Sequence, residues 1–231
     1  MIEIRDLQKA YNGNVVLNIP ELKIEKGESF GLVGNNGAGK TTMFRLILDL
    51  IKANNGVVLS NGKDVTKNSD WKTYTGAYLD EGFLIDFLTP QEYFNFVANI
   101  NNLSKGDIKN FLSQFDEFFN GEILGQNKYI RDLSRGNKQK VGITAALMSN
   151  PDVLILDEPF ASLDPTTQIR LKNLLKQLKS EKNVSLLISS HDLNHVTEVC
   201  ERVVMLDKGN IVRDIHTNQD TLKELETYFA V

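Results

Sequence analysis

Three shortages narrow this chain first: one cysteine in 231 residues, no block of basic residues, and no apolar run near the ~18 residues that would span a bilayer. The lone Cys200 falls in the apolar-periodic stretch Leu193, Val196, Val199, Cys200, so it reads as a reduced core thiol, which fits a cytosolic protein. Against 26 lysines and arginines stand 30 acidic residues, for a net charge of −4, so a nucleic-acid partner has no electrostatic support. The start, Met1-Ile2-Glu3-Ile4-Arg5-Asp6, alternates like a strand and carries no signal peptide. If the chain serves a membrane process, another chain must supply the membrane part. The length allows one large α/β domain or a core with a smaller insert, and either can bury a substantial core.

What the chain does have is organised around Gly34-Asn35-Asn36-Gly37-Ala38-Gly39-Lys40-Thr41-Thr42, which fits the phosphate-loop pattern G-x-x-x-x-G-K-[ST]. Ser29 to Val33 before it reads as a buried strand. After it, Met43, Leu46, Ile47 and Leu50 recur at helical spacing, so the loop opens a helix N-terminus. Glycines at 34, 37 and 39 let the backbone close around an anion, where N–H groups and the helix dipole cradle phosphates. Lys40 would reach the β- and γ-phosphates, Thr41 would place its hydroxyl on Mg²⁺, and Thr42 adds a donor beside the loop.

Residues 1 to about 33 alternate with turns at Asn12-Gly13-Asn14 and Glu25-Lys26-Gly27-Glu28, which predicts an antiparallel β layer before the loop. Tyr11 lies there, either packing as a strand aromatic or offering its ring to an adenine. Residues 51 to 80 read as a second β excursion around Val57-Val58-Leu59. Near residue 81 the composition changes: eight of the twelve phenylalanines lie between Phe83 and Phe119. Pro90 to Ile100 and Lys105 to Phe119 carry helical periodicity, with Ser104 and Asp107 as a capping pair, so 81–145 is read as a helical insert whose core most of these rings form. Phe83 and Phe87 fall instead in the loop before Thr89-Pro90, where they can form a partner-facing patch.

Leu133-Ser134-Arg135-Gly136-Asn137-Lys138-Gln139-Lys140 precedes a helix carrying Val141, Ala145 and Met148. Ser134 serves as an N-cap, or with Gly136 presents a second helix N-terminus to a phosphate. Val153 to Leu156 is a continuous apolar run ending in Asp157 and Glu158, the pattern of a central parallel strand that delivers acids to its C-terminal edge. Two adjacent acids there call for a cation nearby. Asp157 would hold Mg²⁺, directly or through water, and Glu158 would orient and deprotonate an attacking water. Asp164 and Pro165 start a leucine-rich helix as N-cap and first residue. A further buried strand, Val184 to Ile188, ends in Ser189-Ser190-His191-Asp192, which puts His191 at the same sheet edge as the phosphate loop. Residues 217 to 231 read as one short amphipathic helix.

In order and spacing these motifs resemble the nucleotide-binding subunit of ATP-binding-cassette (ABC) transporters, over essentially the whole chain. Gly34 to Thr41 matches the family's Walker A motif, Val153 to Glu158 its Walker B with catalytic glutamate, Leu133 to Lys140 its signature, Ser162-Leu163-Asp164 its D-loop and His191 its switch histidine. Tyr11 matches the aromatic that stacks adenine. The signature departs at Arg135 and Asn137 from the usual Leu-Ser-Gly-Gly-Gln, a pattern similar to bacterial exporters of antibiotics and bacteriocins. The Q-loop glutamine is replaced by Asp80 or Glu81, depending on the register, as in the lantibiotic-immunity branch. Either acid could ligate Mg²⁺.

The resemblance implies an α/β phosphate-loop NTPase fold: a mostly parallel sheet with an antiparallel β subdomain, 1–80 and 146–231, and a helical subdomain, 81–145. It implies an ATPase using ATP and Mg²⁺, with Lys40, Glu158 and His191 catalytic. Two copies, or one copy and a related ATPase, would sandwich ATP, with Ser134, Gly136 and Asp164 acting in trans. A separate membrane permease would be the partner, export the expected direction, and the inner face of the membrane the location. The competing expectations are a soluble ABC-type ATPase and a nucleotide-dependent switch not coupled to transport.

Overall fold

The computed structural model describes residues 1–229; Ala230 and Val231, within the expected tail helix, lie outside the described residues. β1 (Ile2–Tyr11) and β2 (Asn14–Ile24) form a hairpin whose turn uses Asn12 and Gly13 at φ +49° and +82°, the left-handed pair that matches strand twist. β3 (Ser29–Val33) is buried along its whole length and leads into α1 (Lys40–Ile47). β4 (Asn55–Ser60) and β5 (Lys63–Asp64) return to the hairpin, completing an antiparallel sheet of order β2-β1-β4-β5.

Then β6 (Thr75–Tyr78) joins the sheet to which β3 belongs. It is followed by α2 (Pro90–Ile100), α3 (Lys105–Ser113), α4 (Asp116–Phe119), α5 (Arg135–Leu147), β7 (Val153–Leu156), α6 (Pro165–Lys182) and β8 (Ser185–Ser190). α7 (Leu193–Val199), β9 (Arg202–Asp207), β10 (Asn210–His216) and α8 (Thr221–Phe229) close the chain. The second sheet has the order β10-β9-β3-β8-β7-β6 and is parallel except for β10. Two expectations are thereby corrected. β3, read as part of the antiparallel layer before the loop, belongs to the parallel sheet, because its residues are buried on both faces and need helices on each side; β6, from the second β excursion, joins the same sheet as its edge strand, with Ala77 exposed. The stretch from Lys105 to Phe119 is two helices rather than one; the break turns the chain from α2, which α3 touches, toward α5 and α6, which α4 touches.

Strand alternation sorts the core into two layers. Leu154, Leu156, Leu186, Ile188, Val203 and Met205 face one layer with α5, α6 and α7. Val153, Ile155, Leu187 and Val204 face the other, where Met43, Phe44, Leu46 and Ile47 of α1 sit between the parallel sheet and Ile4, Leu17 and Ile19 of the antiparallel one. α1 is thus held from both sides. Of the phenylalanines from 94 to 119, all but the exposed Phe96 pack together, Phe94 stacked on Phe119 at 5.9 Å and Phe111 tilted against Phe115 at 4.9 Å.

α5 packs closely on β6. A Cβ at Gly76 would lie 2.0 Å from the Ala146 carbonyl oxygen, and one at Gly142 2.1 Å from the Tyr78 ring. Gly76→Ala therefore lowers stability by about 3 kcal/mol, because backbone on both sides must move. Gly106→Ala, in α3 with only Ser104 Oγ at 3.7 Å from the new carbon, raises it by about 0.5–1 kcal/mol through lower unfolded-chain entropy. Urea unfolding midpoints check both signs.

Candidate functional site

The parallel strands β3, β8 and β7 lie side by side, so the residues that follow their C-terminal ends meet at one edge of the sheet. After β3 the chain forms a loop, with Gly37 at φ +84° and Gly39 at +110°, before α1 begins at Lys40. A side chain could not replace Gly39: its Cβ would lie 3.0 Å from the Val16 carbonyl oxygen, in a left-handed conformation. The loop is closed by Ala38 N–H donating to the Asn35 carbonyl at 3.0 Å and tied to the β9–β10 turn by Gly209 N–H donating to Ala38 at 2.9 Å. No side chain caps α1, so its first N–H groups are left for an anion.

Lys40 is 6% exposed, and its ammonium donates to the Gly34 carbonyl at 2.7 Å. It also lies 3.2 Å from Glu158 Oε1. The other carboxylate oxygen of Glu158 is 2.8 Å from His191 Nδ1; an ionised carboxylate only accepts, so Nδ1 carries the hydrogen. Beside this chain of groups, Thr41 Oγ1 donates to Asp157 Oδ2 at 2.5 Å, and the Ser189 hydroxyl donates to Oδ1. Burial pushes the Asp157 carboxyl above its ordinary range, opposed by the hydrogen bonds from Ser189 and Thr41. A buried carboxylate held only by two hydroxyls, beside a threonine oxygen, is a set of hard oxygen donors that fits a divalent cation of the Mg²⁺ kind. Among the described residues no group of three or more His, Cys, Asp or Glu side chains forms a metal cage.

A cleft of about 260 Å³ runs over these groups, lined by Tyr11, Val16, Asn36, Gly37, Gly39, Lys40, Thr41, Thr42 and Glu158. Tyr11 is half exposed at its rim, with the Lys9 ammonium 4.7 Å from the ring centre. A larger groove of about 680 Å³ lies on α2 and α3, but its ionisable lining residues, Lys105, Lys109 and Asp116, are all exposed. Size does not select the site; convergence of buried charge does.

The remaining sequence candidates have contacts of their own. Ser134 Oγ accepts from Asn137 N–H at 3.2 Å and caps α5, while Asp164 accepts from Thr167 N–H at 3.0 Å and caps α6. Gly136 presses on the segment after β7: a Cβ there would sit 2.6 Å from the Ser162 carbonyl. The two acids read as alternatives for the ion line a cleft of about 200 Å³ beside Asp157 and Glu158, and each also has a basic partner. Asp80 accepts from Gly82 N–H at 2.8 Å and pairs with Arg45 of α1 at 3.2 Å, and Glu81 pairs with Lys138 of α5 at 3.2 Å. Basic side chains already neutralise them. These half-exposed pairs orient the turn at Glu81–Phe83 more than they stabilise it.

Sequence reasoning assigned no role to Ser189, Gln139 or Arg45. Ser189 ends a buried strand whose apolar run hid its hydroxyl, and Gln139 sits inside the Leu133 to Lys140 stretch, where the caps drew attention first. Their partners, 31 and 19 residues away for Ser189 and Gln139, become visible only in the folded chain.

Comparison with known proteins agrees with this geometry. The sequence model described as ABC transporter matches residues 17–161. The chain is 34% identical to the uncharacterized ABC transporter ATP-binding protein YhaQ of Bacillus subtilis (strain 168), over all of this chain and 74% of that one. It is 32% identical to the methionine import ATP-binding protein MetN 1 of Bacillus thuringiensis subsp. konkukian (strain 97-27), over 93% of this chain and 66% of that one. Its fold is similar to the dimeric structure of MJ0796, a bacterial ABC transporter cassette, with a TM-score of 0.82 and 25% identity, over 94% of this chain and 99% of that one.

Proposed function

We propose, for a chain that belongs to the ABC transporter family as one of its ATP-binding ATPases, that it binds MgATP in a two-subunit sandwich and powers transport through a separate membrane permease. The observation that carries this reading is the convergence of Lys40, Thr41, Asp157, Glu158 and His191 at one edge of the parallel sheet. Among the described residues no helix is long and apolar enough to cross a membrane, so the membrane path would belong to the partner and this chain would sit against the inner face. Residues 1–80 and 146–231 would act as the catalytic core and 81–145 as the helical unit. The boundary falls within α5, whose first turn carries the signature and whose last turns rest on β6.

In this mechanism the loop amides and Lys40 bind the β- and γ-phosphates, Thr42 adds a donor, and Tyr11 stacks on the adenine. Thr41 and Asp157 would hold Mg²⁺, which when bound supplies positive charge opposite the phosphate oxygens. In the nucleotide-free arrangement Glu158 lies between Lys40 and His191. A γ-phosphate competes for Lys40 and so releases Glu158 to take a proton from water, while His191 turns to the phosphate. Ser134, Gly136 and Asp164 contact α5, α6 and the segment after β7, and in the proposed sandwich they would act on the partner's nucleotide. The dimeric state of MJ0796 supports that pairing, between two copies or with a related ATPase. The proposed direction is export, supported by Arg135 and Asn137 in the signature; MetN 1, an import protein at 32% identity, carries the opposite direction.

Mg²⁺-dependent ATP hydrolysis, measured on the chain alone and with its co-purified membrane partner, tests the reading. Absence of both turnover and ATP-induced dimerisation in both preparations overturns it, and substrate movement in inside-out vesicles decides direction. The partner surface follows from exposure. Phe83 and Phe87 are 50% and 63% exposed on the loop that Asp80 and Glu81 tie to α1 and α5. Phe83→Ala with Phe87→Ala abolishes partner-dependent transport at least tenfold, the scale expected of two buried aromatic anchors, and leaves the free subunit's ATPase unchanged. Intact transport in that variant would remove the surface from the proposal.

A further inference from the structure

Glu158 has a backbone φ of +49°, an uncommon conformation for a residue with a side chain. Such a residue keeps that conformation only where its surroundings impose it, and here three hydrogen bonds hold it: a local turn in which Ala161 N–H donates to its carbonyl at 3.2 Å, and two bonds that reach other elements of the fold. Its N–H donates to Ser189 Oγ at 2.9 Å, and its carbonyl accepts from Gln139 Nε2 at 3.0 Å. Gln139 is 6% exposed and stands in α5, just over one turn beyond the Ser134 cap. Gln139 also lines a cleft of about 200 Å³, together with Asp157, Glu158, Asp80, Glu81 and Arg135. The side chain is too buried to serve solvation, and its amide donates to the backbone of the residue proposed as the base.

We infer that Gln139 is a positioning residue for hydrolysis: it fixes the left-handed backbone of Glu158 and makes the aim of that carboxylate depend on the placement of the helix that Ser134 opens. This rests on the reading of Glu158 as the base. The physical link is short. The Glu158 side chain leaves a backbone held at both ends, by β8 through Ser189 and by α5 through Gln139. A shift of α5 relative to the sheet rotates the peptide that follows Glu158 and swings the carboxylate off the line of attack. Engagement of the α5 N-terminus by a partner's nucleotide would thus set the base in the other half of the same subunit.

The test is Gln139→Leu, which keeps the packing volume and removes the donor, and Gln139→Glu, which keeps the shape and sets an acceptor against the carbonyl. Both are assayed for ATP kcat, ATP KM, ATP-induced dimerisation and thermal midpoint, in the wild-type chain and in Glu158→Gln. We expect kcat to fall about tenfold, in keeping with the cost of displacing a reacting group by under 1 Å, with KM and dimerisation within about twofold of wild type. The slow residual rate of Glu158→Gln, followed with radiolabelled ATP, is expected not to fall further, because no base remains to be aimed. Wild-type kcat, a rise in KM in place of a fall in kcat, or the same tenfold loss in the Glu158→Gln background each overturns the role of Gln139. If the leucine variant does not fold, the glutamate variant is judged by the same criteria. Should Glu158→Gln itself turn over at the wild-type rate, the assignment of the base fails instead, and the two failures are distinguishable.

Discussion

Replacing Glu158 by glutamine lowers ATP turnover by about 10²–10³-fold, the contribution of a positioned general base, while ATP binding persists and the ATP-bound dimer accumulates. The substitution is nearly isosteric; glutamine's single carbonyl oxygen can accept from His191 Nδ1 or from Lys40 but not from both, while the backbone bonds to Ser189 and Gln139 do not involve the changed atoms. What changes is charge. Lys40 loses the carboxylate at 3.2 Å that competes with a phosphate for it, so nucleotide affinity holds or rises while the proton acceptor is gone. Sizing chromatography with ATP separates the two effects: a stable dimer with little phosphate release is the expected result. Unchanged phosphate release would show that the water is activated elsewhere and would remove Glu158 from its role.

Lys40→Met acts at the earlier step. The ammonium is buried, and in the nucleotide-free arrangement its partners are the Gly34 carbonyl and Glu158. Charge-assisted hydrogen bonds contribute about 1.5–3 kcal/mol each, so losing those to two phosphates weakens ATP binding about 10²-fold. At an ATP concentration 100 times the wild-type Kd, nucleotide then stabilises the wild type by about 2.7 kcal/mol and the variant by about 0.4. Turnover falls further, by about 10³-fold in all, because the same charge meets the developing negative charge of the transferring group. Methionine also leaves the Gly34 carbonyl without its donor, at a cost of about 1–3 kcal/mol to the nucleotide-free protein. The informative quantity is therefore the shift on adding ATP, measured for each protein against its own apo midpoint; an undiminished shift in Lys40→Met would refute the cradle.

How much of this could be read from the chain alone differs between elements. The phosphate loop was legible because its chemistry is local: Gly37 and Gly39 supply positive φ angles, and Lys40 and Thr41 follow on the first turn of the helix they open. The acids at 157 and 158 were legible because an apolar run of four residues ending in two carboxylates has few other uses. The Ser104 cap was legible for the same reason, and a second capping box, Thr89 with Glu92, was there to be read from the same spacing. By contrast, whether β3 and β6 join an antiparallel or a parallel sheet depends on which strands find them, and periodicity does not encode a partner. The acids at 80 and 81 were taken for ion ligands on charge and register. The fold brings Arg45 and Lys138 to them, side chains 35 and 57 positions distant in sequence.

From its residues in order, then, this chain already determined the nucleotide cradle, the acid pair, the helix caps and the family, since each is a pattern of a few neighbouring side chains whose chemistry does not wait on packing. The tertiary structure decided what those groups do to one another. It set β3, β8 and β7 side by side so that Glu158 touches both Lys40 and His191, gave Asp80 and Glu81 the partners Arg45 and Lys138, and brought the Gln139 amide to the Glu158 carbonyl. The physical reason is one of range. Turn, cap and strand preferences act over a handful of residues, whereas hydrogen bonds and ion pairs across the sheet are chosen only when the hydrophobic core has fixed which elements are neighbours.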